Sequence, residues 1–190
     1  MRKEFATVLA IFIVTAILTP VVPEDLRSGV VKEVSEVFEP FKKVVDKLGL
    51  ASTLILPLII FYNNLRIAIL NIFLGILILP PILITMYNSY VITSFVISGN
   101  IVENLLLIIP HGIIEIYAFL LSSALGLRLG VRVLIKRKRF SNELKFCLSK
   151  LALVSVLLLI ASLIEVFITP LIYVLISALS GELPTGIGYG

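Results

Sequence analysis

Charge is scarce in this sequence. Asp, Glu, Lys and Arg make up only 15% of its 190 residues, where a soluble domain carries about a quarter. There is one cysteine, Cys147, which excludes an internal disulfide framework and a cysteine-based metal cluster. A single histidine, His111, leaves no H-E-x-x-H pair and no recognisable zinc set, so neither a metal nor another cofactor is expected. The chain also lacks a P-loop and a G-x-S-x-G nucleophile turn. His111 acting as base for Ser122 or Ser123 fails on spacing, since both serines fall roughly two to three helical turns deeper. These absences point away from an enzyme. Tryptophan is missing, and the basic residues have little aromatic interleaving, which argues against nucleic-acid binding.

What is present is hydrocarbon. The chain is 59% hydrophobic, with a mean hydropathy of +1.13, the balance of a protein whose apolar faces are solvated by lipid. The expected fold is an all-α integral membrane protein forming one membrane domain over residues 1–190, with about five transmembrane helices. The spans are placed at 5–22, 64–85, 88–109, 111–130 and 150–169. The third is read as broken, because Ser98-Gly99-Asn100 interrupts it and the remainder before Pro110 is too short to cross, so the stretch near 98–110 is expected to be broken or re-entrant. Residues 51–62 are read as an interfacial helix ahead of Asn63-Asn64, and Pro80-Pro81 as a kink or end of span two. Between the first two spans, residues 24–48 carry six acids and five bases. Their apolar positions, Val31, Val34, Phe38, Phe41, Val45 and Leu48, alternate spacings of three and four, which predicts an amphipathic helix in two pieces around Pro40.

Orientation follows from the basic residues. Residues 132–145 hold six Lys or Arg against one Glu, which puts that loop in the cytoplasm. Arg2-Lys3 place the N-terminus there too, and no small-x-small pattern follows the first apolar run, so it reads as an uncleaved signal anchor. An odd number of spans then sends the C-terminus outside, with the amphipathic segment also outside.

This topology gathers polar residues at one level. Asn63, Asn64 and Arg66 stand at the outer start of span two, His111 and Glu115 on one helical face at the outer start of span four, and Glu165 in the outer third of span five. Ionisable groups within a membrane are costly and face protein or water. Two readings stand: a structural network in which Arg66 pairs with Glu115 or Glu165, or an outward-facing pocket for a partner, an ion or a substrate. Span four carries a second pattern, Ala118, Ser122, Gly126 and Gly130 at every fourth position. Such a stripe lets helix backbones approach closely, within the chain or in a homodimer, and Gly75 in span two offers a counterpart.

The string Pro110-His111-Gly112-Ile113-Ile114-Glu115, followed by Gly126 and Gly130, resembles the stage II sporulation protein M family. So do Asn63-Asn64, Gly75 and Tyr87-Asn88; one departure is Ser89, where the family usually has glycine. The resemblance implies a multi-span helical membrane protein without established enzymatic activity. Its sporulating members act as a membrane scaffold for wall-degrading partners during engulfment, and relatives occur in non-sporulating organisms, archaea included. Asn63, Asn64, His111, Gly112 and Glu115 match motif positions. The expected function is therefore a non-enzymatic scaffold that engages lipid and other membrane or envelope proteins through its outer face. The alternatives are a permease-like component working with a separate ATPase, or a membrane-shaping protein.

Overall fold

In the hydrocarbon core a backbone satisfies its N–H and C=O groups only by pairing internally, and the apolar runs of this chain accordingly fold as helices. The computed structural model describes residues 1–33, 36 and 52–180, and no strand occurs among them. Helix α1 is Arg2–Leu18, closed by a 3-10 turn at Thr19–Val21 that contains Pro20. Helices α2 (Ser52–Leu74) and α3 (Leu79–Val96) are joined through a 3-10 turn at Gly75–Leu77. Helix α4 (Ile101–Gly130) runs on into a π turn at Val131–Ile135. Helix α5 (Phe140–Phe167) is followed almost directly by α6 (Thr169–Ser180). Among the described residues, five stretches are long and apolar enough to cross a membrane: Arg2–Val21, Leu54–Leu77, Leu79–Val96, Ile101–Ile135 and Phe140–Ile176. The chain is a multi-pass helical membrane protein.

The span boundaries differ from those expected, each for a local reason. Residues 52–62 are not a separate interfacial helix but the first half of α2, so Asn63 and Asn64 lie mid-helix. Pro57 interrupts one early backbone bond without ending the helix. The second span stops at Gly75, and Pro80 and Pro81 open α3 instead of kinking α2, since proline's fixed φ suits a first helical turn. The reversal is made at Ile78, whose φ of 66° is rare for a β-branched residue. Strain of this kind costs about 1–3 kcal/mol and must be held by the packing around it.

The break near 98–110 is confined to residues 97–100. The Asn100 side chain accepts from the Val102 amide at 3.1 Å and caps α4, while Asn104 Nδ2 donates to the Phe95 carbonyl at 3.0 Å and closes α3. From Ile101 onward α4 is one continuous helix with Pro110 inside it, so no re-entrant segment forms. The fifth span starts at Phe140, ten residues before the expected Lys150, because Glu143 and Phe146 turn inward onto Arg128. Of the amphipathic segment, residues 24–33 and 36 are helical and mostly exposed; the rest, with its Pro40, lies outside the described residues, as does the tail 181–190.

Helix α4 is the axis of the bundle, packing against α1, α2, α3, α5 and α6. On one side Leu121, Leu125 and Leu129 meet Ala68 and Ile72 of α2 and Val154 and Leu158 of α5. On the other, Leu120, Ala124 and Leu127 meet Val8 of α1. Lipid tails are as apolar as leucine, so close packing and buried hydrogen bonds hold such helices together. The small-residue stripe supplies both. A Cβ on Gly126 would collide with the Asn71 carbonyl oxygen of α2, one on Gly75 with the Gly126 backbone, and one on Gly130 with the Gly75 carbonyl oxygen. Asn71 Nδ2 donates to Ser122 Oγ at 3.3 Å and Ser123 Oγ at 3.1 Å. The stripe is covered by the chain's own α2.

Candidate functional site: a polar chamber inside the bundle

Of the polar residues singled out in the sequence, all but Glu165 stand well inside their helices, around one cavity of about 380 Å³. Helix α2 contributes Asn63, Asn64 and Arg66, α4 contributes His111, Gly112 and Glu115, α3 contributes Thr85 and Asn88, and α1 closes one wall with Phe12. Ile108, Ile116, Phe119 and Leu120 supply much of the apolar lining. A mostly apolar cavity with a few convergent polar groups is the usual form of a small-ligand site.

The placement at mid-helix, and not at the start of the spans, follows from the longer helices. Asn63 and Asn64 have eleven and twelve residues of α2 before them, and His111 has ten of α4. His111 and Glu115 share a face of α4 as their spacing requires. Gly112, between them, is buried, and a Cβ there would meet Ile108 Cγ2 at 2.5 Å.

Glu165 of α5 is not part of the cavity wall, yet its carboxylate lies beside two residues of the wall, His111 and Glu115. One ligand-type atom from each of His111, Glu115 and Glu165 lies within 4.8 Å of the others. His111 Nδ1 is 3.1 Å from the Thr169 hydroxyl, at the start of α6. The Asn64 side chain hydrogen-bonds the Glu115 carboxyl. Two ionised carboxylates at such a separation repel by on the order of 3 kcal/mol even at an effective dielectric of 20. The expected pairing of Arg66 with either acid is not made: the Arg66 guanidinium donates to Asn63 Oδ1 at 3.4 Å. The ion pairs found among the described residues join Met1 to Glu4, Lys32 to Glu36 and Arg128 to Glu143, and none reaches Glu115 or Glu165. Arg66 is too exposed and already engaged one turn back along its own helix.

A family model described as stage II sporulation protein M matches residues 6–170, which take in every wall of the chamber. The chain belongs to that family. An uncharacterized protein of Methanocaldococcus jannaschii is 31% identical over 144 residues, covering 70% of this chain and 66% of that protein. No solved structure matches. The motif residues that carry the family resemblance have clear positions. His111, Gly112, Glu115, Asn63, Asn64 and Asn88 line the chamber, whereas Gly75, Gly126 and Gly130 form the close contact of α2 with α4. Ser89, where the family usually has glycine, lies inside α3 and donates to the Phe12 carbonyl of α1 at 2.7 Å. It is a contact between helices and not part of a turn.

Sequence reasoning missed three contributors. Asn71 is a lone amide in an apolar run, a signal that was there to be read. Asn88 was noticed only as part of a motif. Thr169 precedes a proline at the end of a span, where a hydroxyl carries no distinguishing signal.

Proposed function

We propose that this family member is a non-enzymatic, permease-like membrane component that admits a small polar or ionic solute to the chamber between α1, α2, α3 and α4. The observation that carries this reading is the chamber itself, lined by His111, Glu115, Asn64, Asn88 and Arg66, with no ion pair closing it among the described residues. A purely structural joint would have these groups satisfying one another in a dry core. The basic residues 132–145 lie at the opposite ends of α4 and α5 from His111 and Glu165, which supports a cytoplasmic basic loop and N-terminus. Under that orientation the His111 half of α4 leads to the outer face, and the chamber opens outward. Energy coupling would come from a separate subunit, since the chain has no nucleotide-binding loop.

The test is aqueous access. Cys147, the free cysteine of the described residues, is buried and can be replaced by serine. In that background, Asn64→Cys and Asn88→Cys should react in membranes with a small charged methanethiosulfonate. Leu158→Cys, in the packed core, should not. Equal inertness of all three would make the chamber a closed joint and remove the transport reading. A scaffold role is the second reading, favoured by the helical residues 24–33, which stay mostly exposed. Cross-linking in native membranes that recovers a partner only when residues 24–48 are intact would support it.

A further inference from the structure

At the edge of the chamber, two wall residues and one from just behind the wall bring together three groups of metal-ligating chemistry. His111 and Glu115 come from α4, Glu165 from the end of α5, and their ligand atoms lie within 4.8 Å of one another. Two acids side by side inside a membrane bundle are relieved either by protonation or by a cation held between them. The ion pairs among the described residues supply no such cation, and Arg66 is held at Asn63. One tautomer of His111 suits ligation. When its Nδ1–H donates to the Thr169 hydroxyl, at 3.1 Å, the Nε2 lone pair is left for a ligand. This outer hydrogen bond to the distal ring nitrogen is the usual companion of a metal-bound histidine. Asn64, hydrogen-bonded to Glu115, orients the first carboxylate in the same way.

We propose that His111, Glu115 and Glu165 bind a divalent transition-metal cation at the wall of the chamber. The charge of two carboxylates matches a divalent ion, and an imidazole donor favours zinc, and more weakly manganese in a mixed nitrogen and carboxylate set, over magnesium or calcium. Three protein ligands leave coordination positions open to the chamber, the arrangement of a site that exchanges its ion or holds a further ligand. The proposal rests on the chamber reading for the route by which the cation enters.

The test uses the full chain, purified in detergent, stripped with chelator and dialysed. It is titrated calorimetrically with Zn2+, with Mn2+ and with Mg2+ separately, and bound metal is counted by elemental analysis. The expected result is one Zn2+ or Mn2+ per chain and no binding of Mg2+ in the same range. Glu115→Gln, Glu165→Gln and His111→Gln should each weaken binding by at least about tenfold, the lower end of what loss of an outer-shell partner alone costs. Thr169→Val, which removes that outer partner, should weaken it by about 10- to 100-fold. Glu103→Gln, at an exposed carboxylate at the start of α4, should leave binding unchanged. A wild-type chain that binds neither Zn2+ nor Mn2+ overturns the proposal, and this arm needs no variant to fold. Binding undiminished in both Glu115→Gln and Glu165→Gln overturns it as well. The two readings fail separately: thiol modification at position 64 without bound metal leaves the chamber and removes the cation, whereas bound metal without modification keeps the site and removes the aqueous route.

Discussion

At Gly126 a hydrogen atom stands where any other residue would carry a carbon, and the Asn71 carbonyl oxygen occupies the place that carbon would need. Backbone cannot step aside as a side-chain end can. Gly126→Ala should therefore destabilise the protein by about 1–3 kcal/mol or more, as overpacking does. Gly112→Ala is the instructive contrast. There the added carbon meets Cγ2 of Ile108, at 2.5 Å, a methyl on a stiff β-branched side chain but not fixed backbone. Gaining a better helix former offsets part of that cost, so its loss should be smaller than that of Gly126→Ala. Unfolding of both variants in detergent decides the matter, and equal losses would mean that α2 is not seated on α4 through Gly126. The four-residue spacing of Ala118, Ser122, Gly126 and Gly130 was legible in the sequence. Its partner surface was not, because Asn71 and Gly75 reach it only once α2 and α4 have packed.

Helices α4 and α5 are clasped at the end of the bundle that carries the basic loop. Arg128 of α4 and Glu143 of α5 pair at 3.0 Å, with side chains 14% and 13% exposed, and the Arg128 guanidinium lies 4.1 Å above the Phe146 ring. Cys147, one residue on, is buried beneath, its thiol 3.5 Å from the Leu125 carbonyl oxygen. Removing one member of a buried pair leaves the other charge uncompensated, which typically costs about 3–5 kcal/mol. Glu143→Ala should show a loss of that size in an equilibrium unfolding measurement. The joint change Arg128→Met with Glu143→Leu should cost much less, because neither charge is then buried alone. Similar losses in the single and double variants would mean that packing, and not charge compensation, holds the clasp. The sequence showed these residues as a basic loop with one acid; the fold makes that acid the anchor of the loop, which is why the last span begins at Phe140.

Five crossings put the two connecting turns of α4 on opposite sides of the membrane. The turn at 97–100 contains no Lys or Arg, whereas Lys136, Arg137, Lys138 and Arg139 crowd the other. In a Cys147→Ser background, Ser98→Cys should react with an impermeant maleimide in intact cells. Lys138→Cys should react only after permeabilisation. Reaction of both in intact cells, or reversal of the pattern, would contradict the proposed orientation, and with it the outward opening of the chamber. The whole-molecule arrangement also explains how six sequence-distant polar residues come together: Asn63, Asn64, Arg66, His111 and Glu115 lie well inside α2 and α4, and the last turn of α5 brings Glu165 beside His111 and Glu115.

Hydropathy alone determined that this chain is a helical membrane protein with five spans, because the cost of an unpaired backbone in lipid leaves no other form for runs so apolar. The spacing of His111 and Glu115 likewise determined that they share a face. Where each helix begins and ends was decided largely beyond local pattern: the Asn100 cap is a local one, but the Asn104 bond back to Phe95, the strained reversal at Ile78 and the Arg128–Glu143 pair depend on how the segments fold against one another. The same holds for the site. Fifty residues separate Glu115 from Glu165, and only the packing of α5 and α6 against α4 brings the second carboxylate to the first, and Thr169 to His111.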